Sequence, residues 1–254
     1  MKNRFIYCAG STEASRFACT YLKEAGLPVI DCPGPHITHL LLDIPSFAES
    51  GRMRMGGNIR TLLEMLPADV TVYGGNLDHP DLKNHRVVDF LKDETYLAEN
   101  AYITAECALD VALPYLPVTL RSCPVLVIGW GRIGKCLAQL LKALGAEVTV
   151  AARNPSDRAI LQALGYTAED TASLRENLAS FRLVYNTVPQ PVISKEQSVH
   201  FTENCILIDL ASKPGISHED VIIARGLPGI HFPESSGQLI ARTFQTYFHK
   251  EETT

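Results

Sequence analysis

The sequence lacks any apolar run long enough to cross a bilayer as a helix. Its longest, such as 125–128 and 206–208, fall far short of the roughly 20 residues required. No basic segment followed by a long apolar stretch opens it, so a secretory leader is not expected. It has no C-x-x-C pair and no H-E-x-x-H string. The seven cysteines are odd in number and mostly sit inside apolar runs, which argues for reduced thiols in a cytoplasmic protein rather than a disulfide framework or a zinc site. The nearest histidine pair, His36 and His39, lies among Pro, Thr and Leu with no third ligand nearby, so no metal is expected. Basic charge is not in excess: 23 Lys and Arg against 28 Asp and Glu leave a net charge of -5, which argues against a nucleic-acid partner. Low-complexity stretches are absent as well, which excludes a disordered chain.

What remains is a 254-residue chain with 46% hydrophobic residues, enough for one large domain or two small ones. Residues 4–8 read as a strand, 13–25 as a helix closed by Gly26, and 27–30 and 38–42 as further strands: a small β-α-β unit. Residues 43–57 carry Pro45, Gly51, Gly56, Gly57, two Arg and two Met, and read as a mobile loop that folds over a cleft. A helix over 58–66 capped by Asn58, strands at 70–73 and 87–91, and a helix over 104–116 capped by Thr104 follow. Pro117 and Pro124 bracket a connection at which the pattern changes. Beyond it, apolar strands at 125–128, 147–152, 183–186 and 205–210 alternate with helices over 132–144 and 155–164. The expected fold is α/β with two domains. A smaller flavodoxin-like substrate domain over 1–102 precedes a doubly wound Rossmann domain over 103–233, and a C-terminal helix over 234–250 packs back on the first.

The chemistry is concentrated at Gly129-Trp-Gly-Arg-Ile-Gly134. A G-x-G-x-x-G string alone is weak, but here it joins a buried strand to an amphipathic helix. Gly129 permits the tight turn, Gly131 lets a pyrophosphate approach the backbone, and Gly134 lets helix and strand lie close. The first helical N–H groups, from Arg132 and Ile133 on, then face the phosphates beside Trp130. Where an NAD site usually carries Asp or Glu, the next strand ends in Ala152-Arg153-Asn154-Pro155-Ser156. Arg153, with Asn154, Ser156 and Arg158 as further donors, points to NADP, with NAD as the alternative. Later segments fall where a doubly wound sheet places its ligand: Asn186, Thr187, Val188 and Pro189 against the nicotinamide, Leu210, Ala211 and Ser212 beyond Asp209, and a tight wall at 226–229. Asp209 itself reads better as a cap for its loop than as a catalyst.

Taken in order, Gly129-x-Gly-Arg-x-Gly134, Ala152-Arg153, Asn186-Thr-x-Pro189, Leu207-Ile-Asp-Leu-Ala-Ser-Lys-Pro-Gly215, Gly226-Leu-Pro-Gly229 and Ser236-Gly-Gln resemble the A subunit of dipicolinate synthase over residues 70–245, as does Glu99-Asn-Ala-Tyr-Ile-Thr-Ala-Glu106. The resemblance implies an NAD(P)-dependent oxidoreductase. It would dehydrogenate a dihydro- or hydroxytetrahydro-dipicolinate to dipicolinate, the calcium-chelating acid of bacterial spores, and work beside a flavoprotein-like B subunit. The sequence departs from that family at Ala9-Gly-Ser-Thr-Glu13, at Cys107, and in the short stretch after Gly215. These changes fall mostly in the substrate half. Candidate catalytic groups are Glu106 for proton handling, Lys213 for carboxylate binding and His231 as an acid or base. Two other readings stay open: a dehydrogenase of another small carboxylic acid, and a nucleotide-binding subunit without activity of its own. A homo-oligomer is compatible with all three.

Overall fold

A computed structural model describes residues 4–48, 50–174 and 178–251. The chain divides into two compact units. One comprises residues 1–100 with 228–254, the other residues 101–227.

The first unit is built on β1 (Ile6–Cys8), β2 (Val29–Ile30), β3 (His39–Leu41), β4 (Thr71–Gly74) and β5 (Val87–Asp89), all parallel, in the order β2-β1-β3-β4-β5. That 2-1-3-4-5 order is the flavodoxin-like one, and its ligand crevice lies where β1 and β3 diverge. Helix α1 (Glu13–Glu24) starts at Thr12, whose hydroxyl accepts from Ser15 N–H, and ends where Gly26 takes a φ of 78°. It buries Ala14, Ala18 and Leu22. The C-terminal helix, α8 (Pro233–Lys250), packs along α1 through Gly237; a methyl there would lie 2.7 Å from the Ala14 carbonyl oxygen. A shorter helix, α2 (Ile59–Glu64), is capped by Asn58.

One expectation for this part of the chain needs correction. The helix expected from Thr104 begins ten residues earlier: α3 is Glu94–Ala112. The cap is Asp93, whose carboxylate accepts from Thr95 and Tyr96 N–H, and no Gly or Pro interrupts the next two turns. The described residues of 43–57 form the loop that was expected, with local contacts inside it. Phe47 and Met53, both buried, form an antiparallel bridge, and Ser46 ties the segment to the end of β4.

The second unit contains β6 (Pro124–Ile128), β7 (Glu147–Ala151), β8 (Thr167–Glu169), β9 (Leu183–Asn186), β10 (Ile206–Asp209) and β11 (Ile222–Ile223) in the order β11-β10-β9-β6-β7-β8. Counted from β6, this is the 3-2-1-4-5-6 order of the Rossmann fold. Residues 125–128 have no exposed surface because helices cover both faces of a parallel sheet. Helix α4 (Arg132–Ala143) buries Leu137, Ala138 and Leu141 against it, each aliphatic side chain contributing on the order of 1.5–3 kcal/mol. Helix α5 (Pro155–Ala163) follows β7 with proline in its first turn, and α6 (Lys195–Ser198) opens with a capping box.

Candidate functional site

β6 lies between β7 and β9, so the sheet reverses direction at its carboxyl end and the loops there part to leave a crevice. Gly129 leaves the strand with a φ of 107°, and its N–H still reaches the Ala151 carbonyl at 2.9 Å. A side chain at Gly129 would strike Thr187, and one at Gly134 would strike the Gly129 carbonyl oxygen. These two glycines are required by the fold. Gly131 differs: a methyl there would meet nothing within 4 Å. Gly131 is also the N-cap of α4 and supplies no side-chain acceptor, so the helix opens toward free space with its positive end uncapped. This cradle fits a diphosphate.

The crevice has a volume of about 670 Å³ and is bordered by Gly129, Trp130 and Gly131, by Arg153, Asn154 and Asp157, and by Val188 and Pro189. Trp130 is half-buried, with its ring edge against Tyr166. The Arg153 guanidinium is exposed and has no partner among the described residues. Arg158 and Ser156, expected as further phosphate donors, are engaged elsewhere. Arg158 Nη1 donates to the Ala152 and Arg153 carbonyls at 2.8 Å each and pairs with Asp170 at 2.9 Å. The Ser156 N–H and hydroxyl both bond the Asn154 carboxamide oxygen that caps α5. Sequence reading also missed Asp157, which the third position of α5 brings to the crevice wall, and Thr171 and Ala172, which follow the neighbouring strand β8. The N-cap at Asn154 was the signal that could have placed Asp157.

On the β9 side, Thr187 covers the end of β6, its N–H and hydroxyl both reaching the Ile128 carbonyl at 2.9 Å. Asn186 lies behind the crevice rather than on its surface. It is fully buried, its carboxamide bonds both polar groups of Val188, and it donates to Asp209 at 3.1 Å. Asp209 has no exposed surface and also accepts from Ala211, Gly215 and Ile216 N–H. It therefore caps its loop. Leu210 and Ala211 are buried with it, and Ser212 and Lys213 are exposed. Arg132 and Ile133 sit on the first turn of α4, exposed and half-buried respectively.

Comparison with known proteins joins these observations. Residues 104–224 match the family model "D-isomer specific 2-hydroxyacid dehydrogenase, NAD binding domain". The chain resembles the A subunit of dipicolinate synthase. It is 27% identical over 193 residues to that protein from Bacillus subtilis (strain 168), a match covering 70% of this chain and 65% of the relative's length. The crystal structure of the dipicolinate synthase A polypeptide from Bacillus subtilis superposes with a TM-score of 0.84 at 20% identity, covering 100% of this chain and 98% of that one. The corresponding structure from Bacillus halodurans gives 0.84 at 21% identity, covering 97% and 98%. The second unit thus has a Rossmann fold and matches, over residues 104–224, an NAD-binding domain of dehydrogenase type.

The three candidate catalytic residues lie on different elements. Glu106 lies on an exposed face of α3 between buried Ala105 and Cys107. Burial pushes the Cys107 thiol up to about 12, so it is no nucleophile near neutrality. Lys213 is exposed beyond the Asp209 cap, and no hydrogen bond or ion pair joins it to Glu106 among the described residues. His231 closes a short helix, α7 (Leu227–His231), that stands where a tight wall was expected; Gly226 turns the chain into it with a φ of 65°. Among the described residues no helix is long and apolar enough to span a membrane, and no three His, Cys, Asp or Glu side chains gather to hold a metal ion.

Proposed function

We propose that the chain is a cytoplasmic, NADP-dependent oxidoreductase of the dipicolinate synthase A type, which dehydrogenates a dihydrodipicolinate, or a hydroxytetrahydro-dipicolinate with loss of water, to dipicolinate. The observation that carries this reading is the uncapped turn at 129–134 opening on a crevice bordered by Arg153, whose guanidinium has no partner among the described residues. The likeness to the A subunit of dipicolinate synthase supports the choice of substrate.

In this reading Gly131 and the first turn of α4 hold the pyrophosphate by backbone N–H groups and helix dipole. Arg153 meets the 2′-phosphate. A bound nicotinamide would supply the hydride acceptor for a substrate ring that becomes aromatic. Val188 and Pro189 form its wall, and Asn186 and Asp209 keep that wall in place from behind. Glu106, Lys213 and His231 remain the candidates for the accompanying proton and for substrate carboxylate. By analogy with the relative, which is one subunit of an enzyme, a flavoprotein-like partner completes the machinery.

The test follows the absorbance of reduced nicotinamide when a dihydropyridine dicarboxylate is supplied with NADP, with and without the partner. Reduction of NADP with formation of dipicolinate is the expected outcome. Turnover of an unrelated 2-hydroxy acid alone, or nucleotide binding without turnover even when the partner is present, would contradict the assignment.

A further inference from the structure

The segment between β3 and α2 is more than a connection. It leaves the carboxyl end of β3, beside the divergence of β1 and β3 where a flavodoxin-like sheet places its ligand. Other ligand-accepting groups at this edge are already committed. The N–H groups of Ser11 and Thr12 that open α1, and the Ser15 hydroxyl, are taken by the Asp43 carboxylate, which is 1% exposed. Those of Asn76 and Leu77 beyond β4 are taken by Asp89. An anion arriving here finds its backbone donors occupied by the chain's own carboxylates.

Two cations stand ready nearby. The Phe47–Met53 bridge is closed by Ala48 N–H to the Arg52 carbonyl and Arg54 N–H to the Ser46 carbonyl, each 2.9 Å. Met53 is buried beneath it. Arg52 and Arg54, both exposed, flank buried Met53, and Arg54 begins the turn that Gly56 N–H closes onto the Met53 carbonyl at 3.1 Å. Neither guanidinium has a side-chain partner among the described residues. The segment is held by contacts: Phe47 stacks on His79 with ring centroids 4.5 Å apart, and the Ser46 N–H reaches the Gly75 carbonyl at 2.7 Å.

We propose that Arg52 and Arg54 are the carboxylate-binding subsite of the first unit, a two-guanidinium clamp for a small ring carrying two carboxylates. This rests on the substrate class proposed above. Guanidinium groups pair with carboxylates through two parallel hydrogen bonds, and two of them on one segment select a dicarboxylate over a monocarboxylate.

The test is calorimetric binding of pyridine-2,6-dicarboxylate and pyridine-2-carboxylate to the wild-type chain and to Arg52→Ala, Arg54→Ala and the double variant, with NADPH affinity measured on each. Each single change is expected to weaken the dicarboxylate about tenfold. The double change should erase the preference over the monocarboxylate, and NADPH affinity and melting temperature should stay at wild-type values. A double variant that binds the dicarboxylate as tightly as wild type overturns the clamp and leaves the proposed substrate standing. A wild-type chain that binds NADPH but no pyridine dicarboxylate overturns both.

Discussion

Gly131 and Gly134 lie three positions apart and answer to different constraints. Gly134 is held by the fold, because any side chain meets the Gly129 carbonyl oxygen; at Gly131 there is only open space. Gly131→Val should therefore cost no more than about 1 kcal/mol, as a poorer N-cap, and reduce dinucleotide affinity by more than tenfold, whereas Gly134→Val should lose about 3 kcal/mol of stability as well. Equal melting temperatures for the two variants would contradict that division. Arg153 and Asp157 border the same crevice with opposite charge. Arg153→Ala should cost about tenfold in NADPH affinity with little change for NADH, and Asp157→Asn should favour NADPH. Nucleotide titrations of both variants check this; an Arg153→Ala chain with undiminished NADPH binding would count against the cofactor choice.

Among the elements, the loop after β10 depends on one buried side chain. Asp209 accepts from Asn186 and from three backbone N–H groups, so Asp209→Ala strands four buried donors. A loss of about 3 kcal/mol in urea unfolding is expected; a change under about 0.5 kcal/mol would mean that water replaces the carboxylate freely. The β6–α4 unit was legible in the sequence because its signals agree: a continuous apolar run, glycines at fixed spacing and a helical stripe of Leu137 and Leu141. The capping role of Asp209 was legible too. The start of α3 was not, since Asp93 belongs to a run of charged residues that hides its capping role. Segment 43–57 was legible as a loop from its glycines and arginines, whereas the pairing of Phe47 with Met53 inside it is a contact across a turn that no periodicity announces. For the crevice, the motif residues could be read directly. Asp157, Thr171 and Ala172 arrive through sheet order, which local sequence does not encode.

At the scale of the whole molecule, the segment that closes α8 is fastened to the first sheet at Glu251. Its carboxylate accepts from Tyr73 at 2.8 Å, contacts His39 Nε2 at 3.1 Å, and pairs with Arg4 at 3.2 Å and Arg86 at 3.4 Å. Burial holds the His39 imidazole below its ordinary 6.5, although the Glu251 hydrogen bond pulls the other way. Burial would raise the Glu251 carboxyl, but hydrogen bonds from Tyr73 and His39 outweigh it and leave it below 4.5. Both groups thus bind protons less readily folded than unfolded. Their contribution is complete above about pH 6.5 and declines as pH falls through the depressed values. Melting temperature should therefore fall on acidification from pH 7 to pH 5, and at least as steeply in Glu251→Gln, where the upward pull on His39 is lost; a flat profile in both would contradict the assignment. The chain's single tryptophan, Trp130, borders the proposed dinucleotide crevice and reports on it directly. Titrating the intact chain with NADPH while following Trp130 emission should give saturable quenching by energy transfer to the reduced nicotinamide, and Gly131→Val should move its midpoint to more than tenfold higher NADPH. Emission that stays unchanged up to saturating NADPH and NADH would contradict the account.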